Sequence, residues 1–150
     1  LRKWLALSGA ERRVAAEALI LVAILAVALK LLPFRVVHQR VVRPVRVVPP
    51  QSRHETFIAA KRIGALVDRA GQTLHASCLT RAFALARILS SRGIPHELSV
   101  GVRRSGSSLA AHAWVSDGGV VLIGGGETSQ YSPLLTSSFQ RPRSDDSTIC

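Results

Sequence analysis

The chain is 150 residues long, 47% hydrophobic, and carries a formal charge of +11, from 20 Lys/Arg against 9 Asp/Glu. That length holds one compact domain with a sizeable core, and the composition excludes an intrinsically disordered chain. The 2 cysteines exclude a disulfide scaffold and fit a reducing compartment, so a cytoplasmic protein is expected.

The charge is uneven. Residues 1–50 contain Arg2, Lys3, Arg12, Arg13, Lys30, Arg35, Arg40, Arg43 and Arg46 against only Glu11 and Glu17. Such a bias favours an anionic partner, whether nucleic acid, a lipid surface or an acidic peptide. Nucleic acid is the weakest of these, because the arginines are dispersed and stacking aromatics are scarce.

In chain order, a first helix is expected after Ser8, with Glu11 as its capping-box partner, running to about Leu32, where Pro33 stops it. Ala18 to Leu29 carries no polar side chain, yet this run is shorter than the roughly 20 residues of a spanning helix. No A-x-A cleavage site follows it, so a buried or membrane-touching helix is favoured over a signal peptide. A membrane surface is therefore a candidate contact of residues 14–32. The stretch 33–53 is a basic linker in which Pro33, Pro44, Pro49 and Pro50 rule out a long helix.

A second helix is predicted from about His54 to Ala70 on the spacing of Phe57, Ile58, Ile63, Leu66 and Val67, with Gly71 as its stop. A third begins near Ser77 or Cys78 and ends before Gly93. Its apolar residues, Leu79, Ala82, Phe83, Leu85, Ala86, Ile88 and Leu89, cover most of its circumference, which marks a central buried helix. Beyond Gly93 the period becomes two, with Leu98, Val100 and Val102 facing one way. A second strand covers Ala110–Ser116, Asp117-Gly118 signals a hairpin, and a third strand covers Gly119–Ile123. Gly124-Gly125-Gly126 ends it, and Ser132–Cys150 reads as a frayed tail. Helices first and then an antiparallel sheet predict an α+β domain. Its parts are an N-terminal helix and basic linker (1–53), a core (54–135) and a tail (136–150).

Cys78 and His112 stand out chemically. A cysteine at the first turn of a helix meets outward-pointing backbone N–H groups and the positive end of the macrodipole, which favour a thiolate and can hold an oxyanion. His112 lies in Ala110-Ala111-His112-Ala113-Trp114, where small neighbours leave room for an approaching helix end and Trp114 shares its face. A helix-start cysteine facing a sheet histidine is the nucleophile–base arrangement of papain-like and transglutaminase-like sites. His38, His54, His75 and His96 are the other histidines able to serve as base. Gln72, six residues before Cys78, has the spacing of an oxyanion-hole glutamine, beside the Cys78 backbone itself. No cysteines and histidines share metal-ligand spacing, and the glycine triple lacks the Lys-Ser/Thr of a phosphate loop, so no cofactor is expected.

The ordered blocks Cys78-Leu79-Thr80-Arg81-Ala82-Phe83-Ala84-Leu85, Arg92-Gly93-Ile94-Pro95, Val100-Gly101-Val102-Arg103 and Ala111-His112-Ala113-Trp114-Val115 resemble the lasso peptide leader peptidases. These are stand-alone proteins similar to the C-terminal domain of the microcin-processing protein. The N-terminal runs Glu11-Arg12-Arg13, Glu17-Ala18-Leu19 and Leu31-Leu32-Pro33-Phe34-Arg35 resemble them too. The resemblance implies a transglutaminase-like fold and a Cys-His-Asp triad that cuts the leader from a ribosomally made precursor. Its implied partners are the precursor leader, a small leader-recognition protein and an ATP-dependent lasso cyclase. By position, Cys78 is the nucleophile and His112 the base. The family's Asp stands about a dozen residues after the His, where this chain reads Leu122-Ile123-Gly124-Gly125. Glu127 shares strand parity with Ile123, the residue expected opposite His112, and is the candidate third member; Asp117 is the fallback. A backbone carbonyl or the amide of Gln130 is the other way to orient the imidazole. Thr80 replaces the family's frequent Pro. An inactive scaffold that binds precursor and partner enzymes is the rival reading, and acyl transfer to an amine is a third.

Overall fold

The computed structural model describes residues 8–41, 52–125 and 128–139. Glu127 and Cys150 lie outside these described residues, as do positions 1–7 and 42–51. The described residues form an α+β domain with helices α1 (Gly9–Leu31), α2 (Phe34–Val41), α3 (Arg53–Thr73) and α4 (Cys78–Ser91). Strands β1 (His96–Ser105), β2 (Ser108–Asp117), β3 (Val120–Ile123) and β4 (Ser132–Phe139) follow, forming an antiparallel sheet in the order β3-β2-β1-β4.

The helix boundaries have local causes. Ser8 caps α1 through a full capping box with Glu11, and Pro33 bars continuation past Leu32. Ser52 caps α3 by accepting from the Glu55 N–H, and Ser77 caps α4 by accepting from the Thr80 N–H. Gly93, at φ 64°, closes α4 as expected. Gly71 does not end α3. The helix continues through it to Thr73, and Gly71 is buried because the Arg81 side chain lies across it; an added Cβ would sit 2.2 Å from Arg81 Cδ. This glycine therefore serves packing rather than termination.

α4 is the centre of the domain. Phe83, Leu85, Ile88 and Leu89 are fully buried, between α1 and α3 on one side and the sheet on the other. Ala15, Ala18, Val22 and Leu25 bring one face of α1 into that core. At about 2–5 kcal/mol for each large side chain cut to alanine, this cluster dominates stability. A half-exposed ion pair, Glu17 to Arg92 at 2.5 Å, adds a fastening of small energy between α1 and the end of α4.

Two expectations about the chain after His112 are corrected. Residues 132–139 are not a frayed tail: they form β4, which pairs with β1 from Val102↔Ser132 to His96↔Phe139. Alternation in Leu135, Ser137 and Phe139, half-buried against exposed Thr136 and Ser138, supplies the strand pattern that the Ser-rich composition conceals. The boundary placed at 136 accordingly falls inside β4. The β2–β3 hairpin turns on Gly118 and Gly119, both at positive φ (57° and 83°), as a two-residue primed turn demands. Ile123, however, pairs with Val115 and not with His112: the register set by the two-glycine turn, Asp117↔Val120, would bring it to Trp114, and a bulge at Leu122 shifts it one residue further, to Val115. The bulge lets β3 meet α3 closely: a Cβ on Gly64 would stand 2.8 Å from the Leu122 carbonyl oxygen.

Candidate functional site

α4 presents Cys78 at its first helical position, while β2 carries His112 beside the chain leaving β3. Both half-buried side chains line one cleft of about 480 Å³. Its walls are Lys61, Gly64, Ala65 and Asp68 of α3, Arg81 of α4, and residues 121–125. The helical spacing of 61, 64, 65 and 68 puts these four on one face of α3, and Arg81 lies one turn beyond Cys78.

Helix geometry leaves the N–H groups of Cys78 and Leu79 outside the intrahelical ladder, at the positive end of the α4 dipole. The third first-turn N–H, that of Thr80, is taken by Ser77 Oγ at 3.2 Å. Ser77 Oγ also bonds Thr80 Oγ1 at 2.9 Å, so the residue replacing the expected Pro reinforces the cap. No acidic residue stands in this turn to oppose a developing negative charge.

The ring of His112 is fixed on three sides. Trp114 stacks on it at 6.1 Å between centroids, on the shared strand face expected from period two. Tyr131 lies against it at 5.1 Å, and the Arg103 guanidinium covers the Tyr131 ring. His112 Nε2 meets the main-chain oxygen of Gly124 at 2.8 Å. A carbonyl only accepts, so Nε2 must carry the proton, and Nδ1 of the neutral ring is left with its lone pair.

Gly124 stands twelve residues after His112, the offset at which the resembled family places its aspartate. Its φ is +77°, and a Cβ there would fall 2.5 Å from the Ala113 carbonyl oxygen. A side chain is thus excluded at this position, and the turn that excludes it aims the main-chain oxygen at the imidazole.

The other site expectations separate. Asp117 is not at the site: it lies five residues along β2, about 16 Å at strand rise, buried at the hairpin end and paired with Arg53 at 3.1 Å. It lines a second cavity of about 400 Å³ with His96. Odd spacing from His112 sends it to the other face. Gln130 accepts from Arg103, so its carbonyl serves that cation rather than His112. Gln72 is exposed and donates to Asp68 Oδ2 at 2.7 Å; it does not line the cleft. Glu127, the candidate third member, lies outside the described residues. The remaining histidines are elsewhere. His38 bonds Ser137 Oγ, His96 bonds the Ile94 carbonyl, and His54 and His75 are exposed. Burial pushes the pKa of both His38 and His96 below the usual histidine value.

Sequence reasoning missed Asp68 and Arg81, which line the cleft, join at 3.0 Å and tie the start of α4 to α3. The signal was present: Arg81 falls on the Cys78 face of α4, and Asp68 falls on the Lys61–Gly64 face of α3. The Gly124 carbonyl had no side-chain signature at all.

The family model described as Transglutaminase-like superfamily matches residues 18–136, well over half of the chain. No curated protein and no solved structure matches. The chain belongs to the transglutaminase-like superfamily, whose enzymes commonly act through a cysteine.

Proposed function

We propose that the protein is a cysteine peptidase that removes the leader from a ribosomally made lasso peptide precursor, with Cys78 as nucleophile and His112 as base. The observation that carries this reading is the shared cleft: a helix-start thiol and an imidazole whose Nε2 is held by the Gly124 oxygen line the same walls. Nδ1 of His112 takes the proton of the Cys78 thiol, and the thiolate attacks the scissile carbonyl carbon. The N–H groups at the start of α4 stabilise the resulting oxyanion. On collapse, the leaving amine takes the proton from His112 and the acyl group stays on Cys78 as a thioester. Water, deprotonated by His112, then hydrolyses the thioester and restores the thiol. No cofactor enters these steps.

A neutral acceptor is sufficient for His112, since Cys-His-Asn sites orient their imidazole through an amide. The leader specificity rests on the ordered sequence blocks, which also suggest a leader-recognition protein and a lasso cyclase as partners. A second reading, an inactive scaffold for precursor and partner enzymes, is favoured by one observation: among the described residues, no carboxylate contacts His112. Mixing the purified protein with a lasso precursor and the recognition protein tests both. Leader and core masses that sum to precursor plus one water support hydrolysis. A mass gain matching an added amine indicates acyl transfer instead. Equal cleavage by Cys78→Ala, or none by the parent, refutes the peptidase.

A further inference from the structure

α1 is long and apolar enough to cross a membrane, yet among the described residues only one of its faces is packed. Ala15, Ala18, Val22 and Leu25 are buried in the core. Ile20, Ile24, Val27 and Leu31 form a second stripe, exposed by 59, 57, 56 and 76%. At about 100° per residue, the two stripes point in nearly opposite directions. A soluble helix of this kind ordinarily presents charge on its outer face. Here the outer face is apolar over about 17 Å of helix length.

Two features say what covers it. The first is charge. Arg13 lies on the line of the outer stripe two turns before Ile20, Lys30 flanks its end, and Arg35 follows; all three are exposed. Over Gly9–Val41 the only acids are Glu11 and Glu17, and Glu17 is engaged by Arg92. An apolar stripe bounded by cations complements an anionic surface with an apolar interior. The second is anchorage. The opposite face of α1 is packed on α3 and α4, and the Glu17–Arg92 pair holds it there, so the helix cannot turn end-on without dismantling the core.

We propose that α1 lies flat on an anionic lipid surface, with Ile20, Ile24, Val27 and Leu31 in the acyl boundary and Arg13, Lys30 and Arg35 among the headgroups. This surface is independent of the Cys78 cleft, so its test stands whether or not the peptidase reading does.

The experiment is flotation of the full chain with vesicles of phosphatidylcholine alone and of phosphatidylcholine mixed with phosphatidylglycerol. The parent should float with the mixed vesicles and much less with the neutral ones. Replacing Ile20, Ile24 and Val27 together by serine should weaken binding roughly tenfold or more, with the circular dichroism spectrum unchanged. Removing the charges (Arg13→Gln, Lys30→Gln, Arg35→Gln) should weaken it roughly fivefold each, and added salt should do the same. Failure to float with either vesicle overturns the proposal, as does undiminished binding of the serine variant. So does a dimer in solution that the serine variant dissolves, which would make a second copy the occupant. Resistance of vesicle-bound protein to alkaline carbonate would also overturn it, because that behaviour belongs to a spanning helix.

Discussion

Among the described residues, the hydrogen-bond partner that orients His112 is a main-chain oxygen, and the chemistry of that oxygen sets expectations. The Gly124 carbonyl fixes the tautomer but carries no charge to stabilise an imidazolium. Gly124→Ala meets both a positive φ and the Ala113 carbonyl, so the loop must shift and release the ring. Cleavage by Gly124→Ala should fall by roughly ten- to a hundredfold, with residual activity showing a changed pH profile; a parent-like rate would mean that the carbonyl does not orient the base. His96 offers a separate, stability-based expectation. It is buried against Phe139 with its Nδ1 on the Ile94 carbonyl, and burial lowers its folded pKa below 6.5 while the nearby Asp117 opposes the shift. Between the folded value and 6.5 the unfolded chain binds a proton that the native chain refuses. Its contribution is therefore full above that range and is lost as pH falls through it. Urea midpoints should drop on going from neutral to mildly acidic pH, and His96→Gln should flatten that limb; an unchanged slope would contradict it. At this scale Cys78 and His112 were legible, since a helix cap and a period-two strand both leave marks in side-chain types. The Gly124 oxygen was not, because a backbone carbonyl is common to every residue. What the sequence did show there was a glycine where an acid was expected.

At the scale of elements, the cleft is the space left where α3, α4 and the β2–β3 hairpin converge. Its width at one end is set by the contact of Gly64 with the bulged Leu122. A methyl group at Gly64 would push the Leu122 carbonyl, and that displacement passes directly to Gly124 two residues on. Gly64→Ala should cost about 1–3 kcal/mol in stability and reduce cleavage beyond what that loss explains, measured at a temperature where the variant is fully folded. Unaltered turnover would show that the bulge and the His112 acceptor are uncoupled. Three of the four helices and three of the strands have readable causes: Ser8-Glu11, Ser52-Glu55 and Ser77 for caps, Pro33 and Gly93 for stops, and Gly118-Gly119 for the turn. Only α2 and β4 were hidden. The linker prolines around α2 obscured a single short helix, and the Ser/Pro composition of β4 masked its alternation. The one-residue bulge at Leu122 lies where β3 meets Gly64 of α3, and no periodicity within β3 announces it.

At the scale of the whole molecule, one chain combines a cleft at the start of its central helix with an apolar outer stripe on its first. The basic bias of the N-terminal half, ambiguous in composition alone, becomes specific once Arg13, Lys30 and Arg35 are seen around that stripe. In the proposed reaction thiol and imidazole act as one unit, and such units are strongly non-additive on mutation. The most direct measurement is therefore the rate of precursor cleavage by Cys78→Ala, His112→Ala and the double variant under identical conditions. Each single change should lower the rate on the order of a thousandfold or more, and the double variant should be no slower than Cys78→Ala alone. Cleavage by His112→Ala at close to the parent rate would contradict the account.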